Sequence, residues 1–594
     1  MIVYLGFLVV ALLVIAQIVR LQFFTDYASR SEEIAYRTVP VKANRGSILA
    51  RDGRVMASTV PFYEIRMDCV APADSNVRKH LSGLCQALST FFGNKTAAQY
   101  EREIRDARAK GSRYKLISNR DISYSELCQL KTFPLFNLGP FQGGIIPVTK
   151  ERRVRPYDRL ALRTVGYISE EDRRGVGIEY AYDAQLRGKE GSQIMRRGAA
   201  NKWIPVDNEP LYAPENGLDV QSTIDIEIQE VAENALRKQL ARSDVFEGAT
   251  AVVMEVETGA VRAIVNMKRK KDGTFDETFN YAISESTNPG STFKLATLIC
   301  LLEDGYVHLT DTVTSESPGW RYGGHTFSES SGHGYGKISI QQALEKSSNQ
   351  AFAKLAVQYY GNQEKHFINR LYNMKLNERL NIDLIGEGRA YIPFPDDASW
   401  SKLSLPMIAI GYEMQLTPLH TLTLYNAVAN NGRIVTPYFV ESLNKYGKPI
   451  EVFTHTPLSN AICTPATLAA VHQALRGVVE RGTVKSINDP RYAISGKTGT
   501  SQIAFQNANG KSVMKDHMGR HKHQASFVGF FPSEAPKYSM IVVLYTGLIS
   551  ANFYGGTWAA PVFKEIADHI YITHPYWNAP VTPQTTSYAT LSTH

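Results

Sequence analysis

The fold and the chemistry of this chain are decided around residues 288 to 298, which read Asn288-Pro289-Gly290-Ser291-Thr292-Phe293-Lys294-Leu295-Ala296-Thr297-Leu298. Asn-Pro-Gly signals a turn, and the residues after it predict the start of a helix. A serine in the first turn of a helix has an unpaired backbone N–H and lies at the positive end of the helix dipole. Lys294 follows three residues later on the same face, where its amine can reach the Ser291 hydroxyl. The stretch therefore predicts a nucleophile with a base beside it.

The Ser-x-x-Lys pattern alone is weak evidence, because the chain contains it five times. The other four occurrences begin at Ser112, Ser399, Ser442 and Ser512. At least four of the five must be accidental matches. Residues elsewhere in the chain have to single out Ser291.

Two later stretches supply the groups that such a serine needs. Glu345-Lys346-Ser347-Ser348-Asn349 ends a predicted helix and offers a hydroxyl and an amide, although Ser-x-Asn recurs at four other places. Ser495-Gly496-Lys497-Thr498-Gly499-Thr500-Ser501 contains the only Lys-Thr-Gly of the sequence. It lies on a predicted strand, where glycine permits the close approach of another backbone.

The ordered set Ser-x-x-Lys, Ser-x-Asn and Lys-Thr-Gly resembles the signature of penicillin-binding proteins and serine β-lactamases. Ser347 lies 56 residues after Ser291, and Lys497 lies 150 residues after Ser347, which is plausible for a penicillin-binding protein. Arg45-Gly46-x-Ile48-x-x-Arg51-x-Gly53 and the Arg-x-x-Pro-Tyr…Gly-Ile-Glu stretch near residues 153–179 look like the pedestal of class B, monofunctional members. The resemblance covers about residues 38–570 and is specific.

The resemblance implies a catalytic role for three residues. Ser291 would attack the carbonyl of the penultimate D-alanine in a peptidoglycan stem peptide, giving an acyl-enzyme and free D-alanine. Lys294 would act as the base if burial and the second cation, Lys497, lower its pKa. Ser347 would relay a proton between Lys294 and the leaving amine.

The resemblance also implies which residues bind the substrate: Asn349, Lys497, Thr498, Gly499 and Thr500. The Asn349 amide would hold the peptide backbone of the substrate. Lys497 and the two threonine hydroxyls would bind the terminal carboxylate, or that of a β-lactam. The oxyanion hole would be the backbone N–H groups of Ser291 and Thr500, and losing one such donor typically costs about 10²–10³ in rate.

The residues after 216 predict an α+β fold. Asp225 can cap a helix from Ile226 to Leu240, and Glu257-Thr258-Gly259 reads as a hairpin. The chain is then predicted to be mostly helical up to about Gly432, and Pro561 opens a last helix through Ile570. The predicted strands would form one largely antiparallel sheet flanked by helices, and they cover residues 249–254, 260–265, 493–501, 525–531 and 539–546.

The N-terminus is predicted to be a membrane anchor. Residues 2–19 are apolar apart from Tyr4, Gly6 and Gln17, and at about 1.5 Å per residue they nearly span a bilayer core of about 30 Å. Arg20 and bulky residues follow directly, which is not typical of a cleavage site. Charge does not fix the orientation of this helix, since no Lys or Arg precedes it. The expected location therefore rests on the motifs. The protein is expected to cross a bacterial inner (cytoplasmic) membrane once, with its catalytic domain on the periplasmic side.

Four parts are thus predicted along the chain: a transmembrane anchor at 1–20, a pedestal of the penicillin-binding protein dimerisation type at 21–215, a transpeptidase domain at 216–577, and a disordered tail at 578–594. Within the pedestal, Asp52-Gly53 signals a hairpin, and residues 88–110 are helical in pattern. The glycine- and charge-rich residues 152–191 are interpreted as a structural junction.

Composition limits the other possibilities. The chain has 594 residues, 43% hydrophobic and 21% charged, with a net charge of +8, as expected of a globular protein with several domains. Nothing resembles a nucleic-acid module. The five cysteines have no CxxC or metal-ligand spacing, and a disulfide among Cys69, Cys85 and Cys128 stays open.

Two features near the predicted site need separate interpretation. His517, His521 and His523 lie in a Lys/Gly-rich segment, which we interpret as a flexible loop beside the active-site edge and not as a metal site. The expected chemistry needs no metal or cofactor. In Gly411-Tyr412-Glu413 the sequence departs from the family, where glycine is more usual at 413.

The sequence favours a transpeptidase over its rivals. A class A β-lactamase needs Glu-x-x-Leu-Asn, and the nearest match, residues 378–381, is one residue short. A β-lactam sensor or a pure scaffold is disfavoured because all three motifs are intact, and no glycosyltransferase motif is present. The short connection 266–280 and residues 525–530 are most like the division-specific FtsI type, with an elongation-type role as the alternative. The partners implied are stem peptides, the lipid-linked precursor, β-lactams, the membrane, an FtsW/RodA-like polytopic glycan polymerase and other division proteins.

Overall fold

The computed structural model describes residues 2–23, 36–169, 171, 174–197, 203–206, 211–454, 461–506, 512–551 and 553–574. The chain divides into two compact units. The first takes residues 1–47, 57–155 and 184–218, and the second takes 48–56, 156–183 and 219–594. The predicted domain boundaries stay a prediction. The predicted disordered tail, 578–594, lies outside the described residues.

The N-terminal residues form a helix, Ile2–Phe23. A membrane anchor was predicted over residues 1–20. Within the part of the chain that the structure describes, no helix was found with the length and apolar character needed to cross a membrane.

The first unit has a hydrophobic core formed by two helices, Asp74–Phe92 and Ala97–Ala109, and the end of strand Val55–Met67. One helical stretch was predicted over 88–110, and this was wrong, because the chain breaks between the two helices. Gly93 ends the first helix in the left-handed region, at φ +64°. Thr96 begins the second with a capping box to Gln99. Gly93 and Thr96 are themselves the local signals of this stop and restart.

The longer strands before residue 206 pair in antiparallel fashion, whereas the short strand Ile48–Leu49 pairs in parallel with Asp219–Ser222. Tyr36–Val41 pairs with Gly191–Arg197, which pairs with Trp203–Pro205. Val55–Met67 pairs with Ile145–Val154 and Lys115–Leu116. The other short elements before residue 218 are Ile48–Leu49, Tyr124–Leu130, Phe136–Leu138, Gly139–Gln142, Leu162–Val165, Tyr167–Ile168, Gly175–Val176, Gly177–Ala181 and Asp183–Arg187.

The turn predicted at Asp52-Gly53 is confirmed. Gly53 has φ +85° and its N–H donates to the Ala50 carbonyl over 2.9 Å. The Ala50 N–H donates in turn to the Arg54 carbonyl over 2.8 Å. The turn joins strand Ile48–Leu49 to the start of the strand that begins at Val55.

The second unit is built on a six-stranded antiparallel sheet, whose strands we number β1 Phe246–Glu255, β2 Val261–Arg269, β3 Phe275–Asp276, β4 Ser495–Ile503, β5 Lys522–Phe531 and β6 Tyr538–Thr546. Their spatial order is β3-β2-β1-β6-β5-β4. The prediction that early and late strands form one antiparallel sheet is confirmed. The early strands β1–β3 form one half of the sheet and the late strands β4–β6 form the other. The two halves meet where β1 pairs with β6, so the sheet forms only when residues about 290 positions apart, such as Ala251 and Val542, come together.

Helices cover this sheet. Asp225 caps helix Ile226–Leu240 as predicted, its side chain accepting from the N–H groups of Glu227 and Ile228. The Gln229 side chain of that helix bonds both the N–H and the C=O of Ile264 in β2. The remaining helices of the unit are Tyr281–Ser284, Gly290–Phe293 (3₁₀), Lys294–Glu303, Ile340–Glu345, Asn349–Tyr360, Glu364–Asn373, Ser404–Ala409, Pro418–Ala429, Pro465–Glu480, Lys485–Ile487 (3₁₀), Gly555–Trp558 and Ala560–Thr573.

Two parts of the second unit differ from prediction. Residues 312–339 were predicted to be mostly helical, but they form two antiparallel strand pairs. Their strands have three or four residues each, too few for an alternating pattern. Helix Pro465–Glu480, which packs against β4, was not predicted. The small strands are Thr312–Ser315, Trp320–Tyr322, His325–Phe327, Gly336–Ser339, Asp219–Ser222, Val440–Lys445, Lys448–Val452, Phe505–Gln506 and Ser512–Val513.

Candidate active site

Ser291 lies in a 3₁₀ turn, Gly290–Phe293, that runs directly into helix Lys294–Glu303. The predicted helix start is therefore confirmed. Gly290 has φ +59° and donates its N–H to the Gly411 carbonyl over 3.0 Å. A Cβ at position 290 would stand 2.9 Å from the Thr500 carbonyl oxygen in β4. Glycine thus allows the nucleophile turn to lie directly against the strand that carries Lys-Thr-Gly.

Lys294 is completely buried beneath Ser291. Its Nζ lies 3.0 Å from the Ser291 Oγ, 2.6 Å from the Ser347 carbonyl oxygen and 2.7 Å from the Asn349 Oδ1. Burial lowers the pKa of Lys294 to about 7, while the negative charge of Glu329 acts in the opposite direction. A substantial fraction of this amine is neutral near pH 7, which a general base requires.

Ser347 places its hydroxyl between two buried amines. Lys497 Nζ donates to the Ser347 Oγ over 2.8 Å, and Lys294 Nζ lies 3.4 Å from the same oxygen. Lys497 also donates to the Thr498 carbonyl over 3.0 Å. Burial, and then the charge of Lys294, hold the pKa of Lys497 well below its ordinary value. The predicted effect of burial on Lys294 is confirmed, and the repulsion between the two amines is mutual, so it disfavours having both of them charged.

The Ser347 backbone is held in an unusual conformation. Ser347 lies between helices Ile340–Glu345 and Asn349–Tyr360, at φ +58°. This left-handed region costs a non-glycine residue roughly 1–3 kcal/mol and persists only where the surroundings enforce it. The Ser348 side chain caps the second helix by accepting from the Ala351 N–H over 3.1 Å. The strained residue is therefore fixed by a helix end on each side.

Glu329 belongs to this constellation, and the sequence did not point to it. Its side chain is 5% exposed, and its Oε2 accepts from the Asn349 N–H over 2.9 Å. Its Oε1 accepts from the hydroxyls of Ser315 and Ser348, over 2.7 Å and 2.5 Å. Glu329 follows a three-residue strand in a Ser/Gly-rich loop, where no periodicity marks a buried position. Only its buried surroundings identify it.

Lys-Thr-Gly lies on β4, paired with β5. A Cβ at Gly499 would stand 2.3 Å from the Ser526 Oγ and 3.2 Å from the Pro289 carbonyl oxygen, so the predicted close approach is confirmed. The Ser501 hydroxyl donates to the Asn288 carbonyl over 2.8 Å and ties the strand to the nucleophile turn.

A cavity of about 860 Å³ opens over these groups. Of the predicted site residues, Ser291, Ser347, Asn349, Thr498 and Thr500 line it. Lys294 and Lys497 are buried behind that lining. The structure therefore brings the predicted site residues together around one cavity.

His523 also lines the cavity, which the sequence did not predict. The loop interpretation was wrong here, because His521 precedes and His523 lies within β5, and His523 is 7% exposed. Burial, and then the charge of His521, lower the pKa of His523. Among the residues that the structure describes, no group of three or more His, Cys, Asp or Glu side chains could hold a metal ion.

Two remaining expectations concern cysteine and the departure at residue 413. All five cysteines are free, so no disulfide joins Cys69, Cys85 and Cys128. Glu413 has φ +57°, in the left-handed region where glycine is favoured. Its neighbour Tyr412 lines the cavity.

Comparison with known proteins identifies both parts of the chain. Residues 249–568 match the penicillin-binding protein transpeptidase domain, and residues 40–222 match the penicillin-binding protein dimerisation domain. The chain is 25% identical to stage V sporulation protein D of Bacillus subtilis, over 89% of this chain and 78% of that one. It is 24% identical to peptidoglycan D,D-transpeptidase FtsI of Escherichia coli, over 89% and 84%. Penicillin-binding protein 2X of Streptococcus thermophilus superposes with a TM-score of 0.73 at 18% identity, covering 93% of this chain and 82% of that one.

Proposed function

The chain belongs to the penicillin-binding protein transpeptidase family, as a class B member with a dimerisation domain, and from that premise we propose that Ser291 is its acylated nucleophile. The protein is a serine-type peptidoglycan D,D-transpeptidase. The observation that carries the proposal is the 3.0 Å distance between the Ser291 Oγ and the completely buried Lys294 amine. The proposed domain limits are residues 216–577 for the transpeptidase domain and residues 21–215 for the pedestal.

In the first step, neutral Lys294 removes the proton of the Ser291 hydroxyl as the oxygen attacks the carbonyl of the penultimate D-alanine. The backbone N–H groups of Ser291 and Thr500 are the proposed donors to the oxyanion. The close packing of the nucleophile turn on β4 at Gly290 supports this pairing of donors. The buried helix start adds a positive dipole at the same place.

Ser347 is the proposed relay for that proton. Its hydroxyl contacts Lys497 and lies near Lys294, so it can pass a proton toward the departing D-alanine amine. When the peptide bond breaks, D-alanine leaves with this proton and the acyl group stays on Ser291. An amine of a neighbouring stem peptide then attacks the ester. As the new amide bond forms and the bond to the Ser291 Oγ breaks, the proton of the amine passes through Lys294 to that oxygen, which restores the Ser291 hydroxyl and the neutral base.

The substrate carboxylate is proposed to bind at the Thr498 and Thr500 hydroxyls, which line the cavity in front of Lys497. An arriving carboxylate favours the charged form of Lys497, whose pKa is otherwise lowered by burial. Asn349 is proposed to hold the peptide backbone, and Gly499 keeps β4 close to the nucleophile turn.

A β-lactam offers the same carboxylate and a strained amide, so we propose that it acylates Ser291 as well. The test is mass spectrometry of the protein after incubation with penicillin, followed by digestion. The proposal requires one long-lived adduct on the peptide that contains Ser291. An adduct on another serine would refute the assignment, and rapid release of hydrolysed penicillin would indicate a β-lactamase.

The rate of acylation is predicted to rise with pH through about 7 and then to level off. Burial lowers the pKa of Lys294 to about 7, so protonation of the amine below that pH removes the base. Stopped-flow measurement of penicillin acylation between pH 5 and about 10.5 checks this profile against the ordinary lysine pKa of about 10.4. A profile that is flat across this range, or that rises only above pH 9, would contradict Lys294 as the base.

The cellular role proposed is septal synthesis during division, by likeness of residues 266–280 and 525–530 to the division-specific type. A single-pass anchor at residues 1–20 in the cytoplasmic membrane, with the catalytic unit outside it, belongs to the same proposal. So do an FtsW/RodA-like glycan polymerase and other division proteins as partners, with the lipid-linked precursor as the substrate source. Depletion of the protein in its own cells discriminates: filaments support the division role, and swollen or rounded cells support the elongation role.

A further inference from the structure

Two lysines and one glutamate share the buried floor of the active-site cavity. Lys294 and Lys497 are both fully buried, and Ser347 contacts both of them. Two buried cations repel each other strongly in a low-dielectric interior. Glu329 brings a negative charge to this cluster, and its influence reaches Lys294.

The carboxylate of Glu329 is fully occupied by the turn that carries Ser347 and Asn349. Its Oε2 receives the first backbone N–H of the twelve-residue helix Asn349–Tyr360, where the helix dipole favours an anion. Its Oε1 receives the hydroxyl of Ser348, which itself caps that helix. Ser315 anchors the same oxygen from the neighbouring strand pair.

These hydrogen bonds position the Asn349 side chain and the Ser347 carbonyl against Lys294. Asn349 is oriented by its backbone bond to Glu329, and its Oδ1 accepts from Lys294 over 2.7 Å. The Ser347 carbonyl also accepts from the Lys294 amine, over 2.6 Å, and the Ser347 backbone has φ +58°. The strained turn therefore depends on Glu329 on one side and on Lys294 on the other.

We propose that Glu329 is a positioning residue for acylation, which holds the Ser347–Asn349 turn against Lys294 and offsets the charge of the two buried lysines. The proposal rests on the proposed function, because it assigns Glu329 an effect on the Ser291–Lys294 pair. Glu329 lines the same cavity as Ser291, and its hydrogen bonds go to Ser315, Ser348 and Asn349, so it acts through these residues and through the electrostatics of Lys294.

The other charged groups nearby provide a control for the effect of the Glu329 charge on Lys294. Lys497 faces the cluster from β4 and Lys294 from its helix. On the loop before Glu329, Glu316 pairs with Lys354 of helix Asn349–Tyr360 over 2.7 Å, and Lys354 is drawn outward to this exposed partner. Lys346 lies over the Tyr335 ring at 5.0 Å. Glu316 is therefore a matched control, an acid in the preceding loop that is paired with a different cation.

The experiment compares the pH profiles of penicillin acylation for wild type, E329Q, E329D and E316Q. E329Q removes the charge that raises the pKa of Lys294, so the midpoint of its acid limb is expected to move down by roughly 1 pH unit. Its plateau rate is expected to fall about 10- to 100-fold, because a charge-assisted hydrogen bond to Asn349 is lost. E329D is expected to keep the midpoint while its plateau falls, and E316Q is expected to match wild type.

The outcomes separate the possible failures. A plateau loss in E329Q with an unchanged midpoint, or a shift of the same size in E316Q, would overturn the electrostatic role. If E329Q does not fold, the E329D plateau decides, and an unchanged plateau would overturn the positioning role. Absence of a Ser291 adduct in the wild type would instead refute the proposed function on which the inference rests.

Discussion

Replacing Ser291 with alanine is expected to abolish both penicillin acylation and cross-linking, with a loss of at least about 10⁴-fold in each rate. The nearby Ser347 hydroxyl is not expected to replace it, because Ser347 Oγ accepts from Lys497 over 2.8 Å and lies 3.4 Å from Lys294. The fold is expected to be unaffected, since Ser291 donates to no described partner that the packing requires. The measurement is adduct formation by mass spectrometry, together with cross-linking of lipid-linked precursor polymerised by a glycan polymerase.

The matched control is Ser399→Ala, since Ser399 and Lys402 form another Ser-x-x-Lys pair in this chain. Ser399 is exposed, and Lys402 lies over the Tyr322 ring at 5.5 Å. This variant is expected to acylate at the wild-type rate. Wild-type acylation in S291A, or its loss in S399A, would show that the wrong serine has been assigned.

Replacing Lys294 with methionine is expected to slow acylation by about 10²–10⁴-fold, the usual contribution of a positioned base. Methionine keeps most of the side-chain volume in a fully buried position, so little repacking is required. The residual rate of K294M is expected to lose its rise through pH 7, because the titrating group is gone. Penicillin acylation across the pH range measures both effects, and a thermal melt checks that the variant is folded.

Lys402→Met serves as the control for this variant, because it removes an amine from a second Ser-x-x-Lys pair. It is expected to leave both the rate and the pH profile unchanged. A K294M rate within about tenfold of wild type, or a preserved rise through pH 7, would mean that another group is the base.

The sequence predicted an element correctly where all the residues that form it lie within one short stretch. Asp225 caps its helix as predicted, since a cap and its N–H groups are neighbours in the chain. The hairpin at Glu257-Thr258-Gly259 forms with Gly259 at φ +82°. Ser291 and Lys294 meet because three residues along a helix turn bring their side chains to one face.

Elements without such a local cause were missed. The strands between 312 and 339 are too short to show a period, and the outer pair joins residues 21 to 27 positions apart. The inner pair is a hairpin across Gly323-Gly324, a local signal that the prediction did not use. His523 was assigned to a loop by the composition of its neighbours, although β6 and β4 on either side hold it in a strand.

The sequence by itself determined the nucleophile turn, the ordered motifs and the antiparallel sheet, because each depends on side-chain periodicity or on residues adjacent in the chain. Only the tertiary structure decided how these motifs act together. It placed Ser347 between Lys294 and Lys497, buried both amines and brought Glu329 beneath the turn. The burial of a side chain and the charges near it depend on the residues that surround it in space. Around Lys294 and Ser347, these residues lie 20 to 200 positions apart in the chain. The pKa of Lys294, on which its proposed role depends, therefore follows from the fold and not from the motif.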